Sequence, residues 1–255
     1  MKDIFKKQGY FKDKINPYEL SDNATVELGA MKKNFASLDK DPYTSITNNR
    51  FRAYSNLILF PWERKLSWIP PQQKDGNLSS SYWQGNFNPE HKDAIRYFTP
   101  IDPTVKNSTL LNNIILHDYD LTFWDPAYSS LPIYVGVHFV KLAVLDKSQV
   151  AFSSPNLVHQ DGEAFTFAHL FNRVNVRGGT NYISKPEWAN HKLEQVDRCD
   201  IMEEFEMYEP FESYAVCDEM VSHYVSPIEL DDKELQQGYR EIVLIDFSLM
   251  HQWIK

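Results

Sequence analysis

The chain has 255 residues, 42% hydrophobic and 14% aromatic, with 26 basic against 35 acidic side chains and a formal charge of -9. This composition supports a sizeable core and excludes a disordered chain, and the acidic balance excludes a phosphate-backbone binder that must cluster Lys and Arg. No apolar run approaches the roughly 20 residues that span a bilayer, the start has no apolar signal-peptide core, and Cys199 and Cys217 read as free thiols of a reducing compartment, so the cytoplasm is expected.

In chain order, Asp22 or Asn23 is placed to cap a helix running to about Leu38, because Leu28, Met31, Phe35 and Leu38 recur at helical spacing. Phe51 to Phe60 is rich in aromatic and branched residues and reads as a strand that Pro61 ends. From there to about His91 the polar run with Pro70-Pro71 and Asp75-Gly76 predicts a hairpin or long loop at the mouth of a pocket. Ser108 to Leu116 is a second helix, capped by Asn107 or Ser108 and packed on the first. Beyond Pro126 strands dominate: Ile133 to Val144, Glu163 to Phe171, Thr180 to Ser184, Tyr214 to Cys217, Val221 to Ile228 and Ile242 to Met250. No Pro/Gly/Ser-rich linker divides the chain, so one domain over 1–255 is expected, with helices and flanking strands to about 125 and a strand-rich core over about 130–250. Helices first and strands afterwards argue for an α+β fold in which helices buttress a sheet.

The stretch SSPNLVHQDGEAFTFAHLFNRVNVRGG places His159 and Asp161 two residues apart, on one side of an extended backbone. Such a pair is weak by itself. Downstream, the run VSHYVSPI offers His223, and GYREIVLIDFSL offers Arg240 at the start of an apolar strand. Two histidines and one carboxylate on one side of an iron leave three coordination sites free, the arrangement of non-haem Fe(II) oxygenases. Arginine suits a dicarboxylate better than lysine, because its planar fork grips a carboxylate with two hydrogen bonds. Ser226, three residues past His223, can supply a hydroxyl beside it.

His159, Asp161, Glu163, His169-Leu170, Asn172, Gly178-Gly179, His223 and Arg240 together resemble the bacterial iron(II)/2-oxoglutarate-dependent dioxygenases that hydroxylate free aliphatic amino acids, the isoleucine 4-hydroxylase type. The likeness is densest in the second half; in the first half it is limited to the run from Arg50 to Ser55. The resemblance implies a double-stranded β-helix (jelly-roll, cupin-like) core, Fe(II) on His159, Asp161 and His223, and 2-oxoglutarate held by Arg240 with help from Ser226. It also implies dioxygen as co-substrate, succinate and carbon dioxide as products, and hydroxylation rather than chlorination, because halogenating relatives lack the carboxylate that Asp161 provides.

If the substrate is a free amino acid, its carboxylate needs a cation and its ammonium an acceptor. Arg52 and Glu163 are the candidates, with Tyr54 lining the same pocket. His138 and His169 read as core histidines able to buttress a ligand, His91, His117, His191 and His251 as structural, and Glu203 to Glu212 as a solvated lid or loop face. Competing readings keep the chemistry on a peptide or carrier-bound substrate or with another oxidative outcome, or make the chain a non-catalytic metal-binding jelly roll.

Overall fold

The computed structural model describes residues 1–45, 47–232 and 234–251, so the last four residues of the expected 1–255 domain lie outside it. The chain opens with helix α1 (Lys2–Gln8), ended by Gly9 in a left-handed conformation, and strand β1 (Tyr10–Lys14), neither expected from the sequence. After α2 (Pro17–Leu20) comes α3 (Ala24–Ala36), close to its expected span. Its cap differs: the Asn23 side chain makes no capping bond, and Ser21 Oγ instead accepts from the Asn23 N–H and donates to Glu27. Glu27 in turn accepts from the backbone N–H of Thr109 and Leu110, tying the two long helices together.

Strand β2 (Arg50–Phe60) stops at Pro61 as expected and is followed by β3 (Lys65–Trp68). The polar segment holds a hairpin, β4 (Gln72–Lys74) and β5 (Asn77–Tyr82), turning at Asp75-Gly76, with β6 (Arg96–Phe98) beside it. Helix α4 (Pro103–Lys106) precedes α5 (Thr109–Leu121), whose Ser108 cap accepts from Leu111 N–H at 3.2 Å. Helix α5 outlasts its expected end at Leu116 because Tyr119 and Leu121 still pack on the core. The strand-rich half comprises β7 (Ile133–Val144), β8 (Phe165–Val174), β9 (Val176–Gly178), β10 (Asn181–Ser184), β11 (Ile201–Phe205), β12 (Glu212–Cys217), β13 (Ser222–Val225), β14 (Ile228–Leu230) and β15 (Gly238–Leu249). The single strand expected over Val221 to Ile228 is broken into β13 and β14 at Ser226-Pro227, where proline has no N–H for a ladder.

The strands form one seven-stranded antiparallel sheet, in the order β1-β12-β8-β15-β7-β2-β3, and smaller sheets, among them β11-β10-β13 and β14-β9. Strands β1, β2 and β3 of the first half belong to the large sheet, so the sheet is not confined to the 130–250 region. Alternation along each strand sorts its side chains between two faces. Val135, Val137 and Phe139 of β7, Phe165 and Phe167 of β8, and Val243, Ile245 and Phe247 of β15 pack outward against Phe5, Met31, Phe35, Leu110 and Ile114 of the helices. Each such side chain, fully buried, contributes about 1.5–3 kcal/mol. Ala168 and Leu170 of β8, Tyr214 and Val216 of β12 and Ile242 of β15 pack the other way, against Ile183 of the short sheet. Two facing antiparallel sheets with helices on the outer side make the α+β jelly roll that the resemblance implies. Arg240 and Asp246 stand on the large sheet's inner face, whereas His159 and Asp161 lie on the loop before β8 and His223 on β13 of the small sheet.

Candidate metal centre

His159 and His223 lie opposite one another in an isolated antiparallel bridge, each backbone N–H donating to the other's carbonyl at 2.9 and 2.8 Å. This pairing brings their rings to 4.3 Å between centroids and their Nε2 atoms to 3.0 Å. Asp161 completes the group, with Oδ1 3.6 Å from His159 Nε2 and Oδ2 3.3 Å from His223 Nε2. Donors held about 2.1 Å from a cation at right angles to one another stand about 3 Å apart, so the three donors fit one face of an octahedral ion. The ring of His159 is fixed for that role: Nδ1–H donates to the Leu157 carbonyl at 2.8 Å, leaving the Nε2 lone pair for the ion.

Asp218 holds the loop that carries Asp161. Its carboxylate accepts from the backbone N–H of Asp161 at 2.8 Å and of Gly162 at 2.7 Å, while the Gln160 side chain donates to its carbonyl. Gly162 adopts φ +86° and lies under the Phe87 ring, which any Cβ there would overlap. The electrostatics follow from crowding. Burial and the neighbouring His223 push His159 down to about 4. Burial alone would raise Asp161 and lower His223, but their mutual attraction wins and holds the carboxyl well below its usual range and the imidazole above its own. Three buried donors arranged so that a single positive charge satisfies them all make a cation site.

The second requirement is met at the other end of β15. Arg240 is 5% exposed, its Nε has no partner, and burial lowers its pKa to about 10. Glu206, whose charge it feels, is bound to Arg173 at 2.9 Å and to the Thr180 hydroxyl at 3.0 Å. A buried guanidinium without a carboxylate is costly unless a ligand supplies one. Gly179 packs on the Arg240 side chain, and next to it Ser226 Oγ accepts from Thr180 N–H at 2.9 Å, keeping its own proton free to donate. Tyr214 was not singled out by sequence. Its phenol, pushed up to about 12 by burial, feels the charges of both Arg240 and Asp161.

A cavity of about 540 Å³ opens beside the donors, lined by Asp161, Glu163, Tyr82, Gln84, Tyr134 and Asp246, among others. The β4–β5 hairpin and the loop after it supply Tyr82, Gln84 and Phe87, as the polar segment predicted. Glu163 is at the wall, where Tyr82 OH donates to its Oε1 at 3.1 Å and its Oε2 has no partner. Burial, with Asp246 and Asp161 nearby, pushes its carboxyl well above the usual range. Arg52 and Tyr54 are not on this wall. Arg52 donates to His138 Nδ1 at 2.6 Å and covers the Phe98 ring at 4.5 Å, and Tyr54 is wholly buried with its ring 4.4 Å from that of His138. His138 and His169 are core histidines as expected, each bound to a buried aspartate at 2.8 Å, Asp246 and Asp118 respectively. His251, expected to be structural, lies at the cavity rim. The glutamates from 203 to 212 are not simply solvated: Glu203 pairs with Lys12, Glu204 with Arg198, Glu206 with Arg173 and Glu209 with Lys14.

The chain is similar to known proteins. A family profile described as 2OG-Fe dioxygenase matches residues 32–246. The chain is 29% identical over 232 residues to the 3(1)-hydroxy-L-isoleucine 4-dioxygenase of Pantoea ananatis, a match covering 87% of this chain and 81% of that protein. It is 29% identical over 199 residues to the L-isoleucine-4-hydroxylase of Bacillus thuringiensis, covering 77% of each. The crystal structure of IDO from Bacillus thuringiensis has the same fold, with a TM-score of 0.72 at 20% identity over 98% of this chain and 94% of that one. Because the matched region runs from within α3 to Asp246 and so takes in all three donors and the unpaired arginine, the chain belongs to the 2OG-Fe dioxygenase family and is an iron(II)- and 2-oxoglutarate-dependent enzyme.

Proposed function

We propose that the enzyme hydroxylates an unactivated C–H bond of a free aliphatic L-amino acid, with His159, Asp161 and His223 holding Fe(II), Arg240 and Ser226 anchoring 2-oxoglutarate, and succinate and carbon dioxide released. The observation that carries the reading is the combination of a three-donor cation site with a buried guanidinium that has no carboxylate partner among the described residues. Two relatives named for oxidising isoleucine or its hydroxylated form support the substrate class. A cavity of about 540 Å³ supports a small free molecule over a tethered chain.

Bound iron(II), with 2-oxoglutarate as reductant, supplies the activation of dioxygen that an inert C–H bond requires. The protein supplies position and dryness. Arg240 fixes the far carboxylate of the cosubstrate by a two-pronged contact, and the Ser226 hydroxyl donates beside it. Phe87 packs on Gly162 and the buried Tyr82 lines the cavity beside Asp161, so both shape the space next to the donor loop. Glu163 faces the substrate space as an acceptor for an ammonium group, whereas Arg52 and Tyr54 act from behind the wall through His138 and Tyr82. Free Cys199 and Cys217 support a cytoplasmic setting, and the strands of both halves in one sheet support a single catalytic domain.

The test is release of labelled succinate from 2-oxoglutarate in the presence of Fe(II) and ascorbate, across a panel of free L-amino acids. Turnover should depend on an aliphatic member of the panel and should vanish in Asp161→Ala. Undiminished activity of that variant would refute the ligand assignment, and stimulation by no free amino acid would refute the substrate class.

A further inference from the structure

We infer that Asp246, together with Glu163, is the receptor for the substrate's α-ammonium group, and that Arg52 and His138 exist to hold the Asp246 side chain aimed into the cavity. The inference rests on the amino-acid reading above and deepens it to the atoms that would recognise the amine.

The chain of hydrogen bonds settles the protonation pattern. Arg52 has donors only, so His138 Nδ1, 2.6 Å from its Nη2, must accept. His138 Nε2 therefore carries the proton and donates to Asp246 Oδ2 at 2.8 Å. Gly136 N–H donates to Asp246 Oδ1 at 3.1 Å. Each carboxylate oxygen accepts two hydrogen bonds, so each oxygen of Asp246 has one acceptor position left, and Asp246 lines the cavity. The position of Asp246 is exacting: a Cβ at residue 136 would overlap its carboxylate, so only glycine lets it sit there.

Across the same cavity, Glu163 is 8% exposed and its Oε2 is buried with no hydrogen-bond partner, while Tyr82 fixes Oε1. A buried acceptor without a donor is an unmet demand, and a primary ammonium with three donors is the group that can satisfy Glu163 and Asp246 together. The layout fits a substrate lying across the metal. Arg240 and Asp246 stand on the same face of β15, six residues and about 20 Å apart, and Asp161 is near Thr166, the cross-strand partner of Asp246, at the Asp246 end of that face. One end of the face thus offers a cation to a diacid, and the other offers carboxylates to an amine.

The experiment measures ligand binding by calorimetry to anaerobic protein loaded with Fe(II) and 2-oxoglutarate. The probes are L-isoleucine, L-leucine, L-valine and L-methionine, each paired with the acid of the same skeleton lacking the amine. Wild type should bind at least one amino acid about 10- to 100-fold more tightly than its amine-free partner, and Asp246→Asn should erase that preference while 2-oxoglutarate affinity stays within about threefold. Asp246→Ser replaces Asp246→Asn if the latter does not retain 2-oxoglutarate binding. A variant that keeps the preference overturns the assignment of Asp246 and leaves the amino-acid reading standing. Wild type that binds 2-oxoglutarate but none of the four amino acids, or binds them no better than the amine-free acids, overturns both.

Discussion

Arg240 carries its charge inside the protein with no carboxylate bound to it among the described residues, a burden that packing does not offset. Arg240→Met should therefore separate stability from function. The thermal midpoint should stay level or rise, while the affinity for 2-oxoglutarate falls about 100-fold, as the loss of a two-pronged charge-assisted contact requires; a lower midpoint with unchanged 2-oxoglutarate binding would mark a structural arginine instead. The three metal donors were legible in the sequence because two of them sit two residues apart and the third and Arg240 stand in short, strongly patterned runs. Asp246 was present in the same run, an acid inside an apolar strand, but nothing in one strand says which of its faces will be covered. Tyr214 and Asp218 carried no signal at all, since each acquires its surroundings only from residues distant in sequence: Asp218 binds the loop of Asp161, and Tyr214 is buried where it feels the charges of Asp161 and Arg240.

At the scale of elements, β2, β7 and β15 lie side by side and contribute Arg52, His138 and Asp246 to one hydrogen-bonded row. Burial, reinforced by Arg52, pushes His138 down to about 4 from 6.5. An imidazole with a folded pKa below its unfolded one leaves the unfolded chain binding more protons, so its contribution is complete above about pH 6.5 and is lost as pH falls towards 4. The loss amounts to about 3 kcal/mol over that window. Urea unfolding of the metal-free protein at a series of pH values should show a positive slope to which His138 and His159 both contribute, and His138→Gln should make it shallower by about the share of one imidazole; an unchanged slope would exclude His138 as a source. The long elements were readable because their periodicity is strong: β7 has the bounds expected of it, and α3 and α5 differ only at their ends. Strands β1, β9 and β11 escaped because they are short and draw their order from pairing with β12, β14 and β10 rather than from their own composition.

For the whole molecule, binding of metal and cosubstrate is coupled to folding, since the donors converge from loops and strands far apart in the chain. Ligand at about 100 times its dissociation constant adds about 2.7 kcal/mol, which for a chain of this size is about 5–10 °C in the thermal midpoint. Fe(II) with 2-oxoglutarate under anaerobic conditions should produce that rise and a chelator should cancel it, and a midpoint indifferent to both would contradict the site. Charge, composition, the main helices and strands and the His159–Asp161 pair as a candidate metal site were legible in sequence alone, because each depends on residue type or on spacing within a short window. Only the tertiary structure decided that His223 meets that pair, that Arg52 serves His138 rather than the cavity, that Glu163 and Asp246 line one cavity, and that Arg240 Nε has no partner among the described residues. Those facts are distances between residues that the chain brings together by folding, and burial, which makes an unpaired charge costly, does not exist until it has folded.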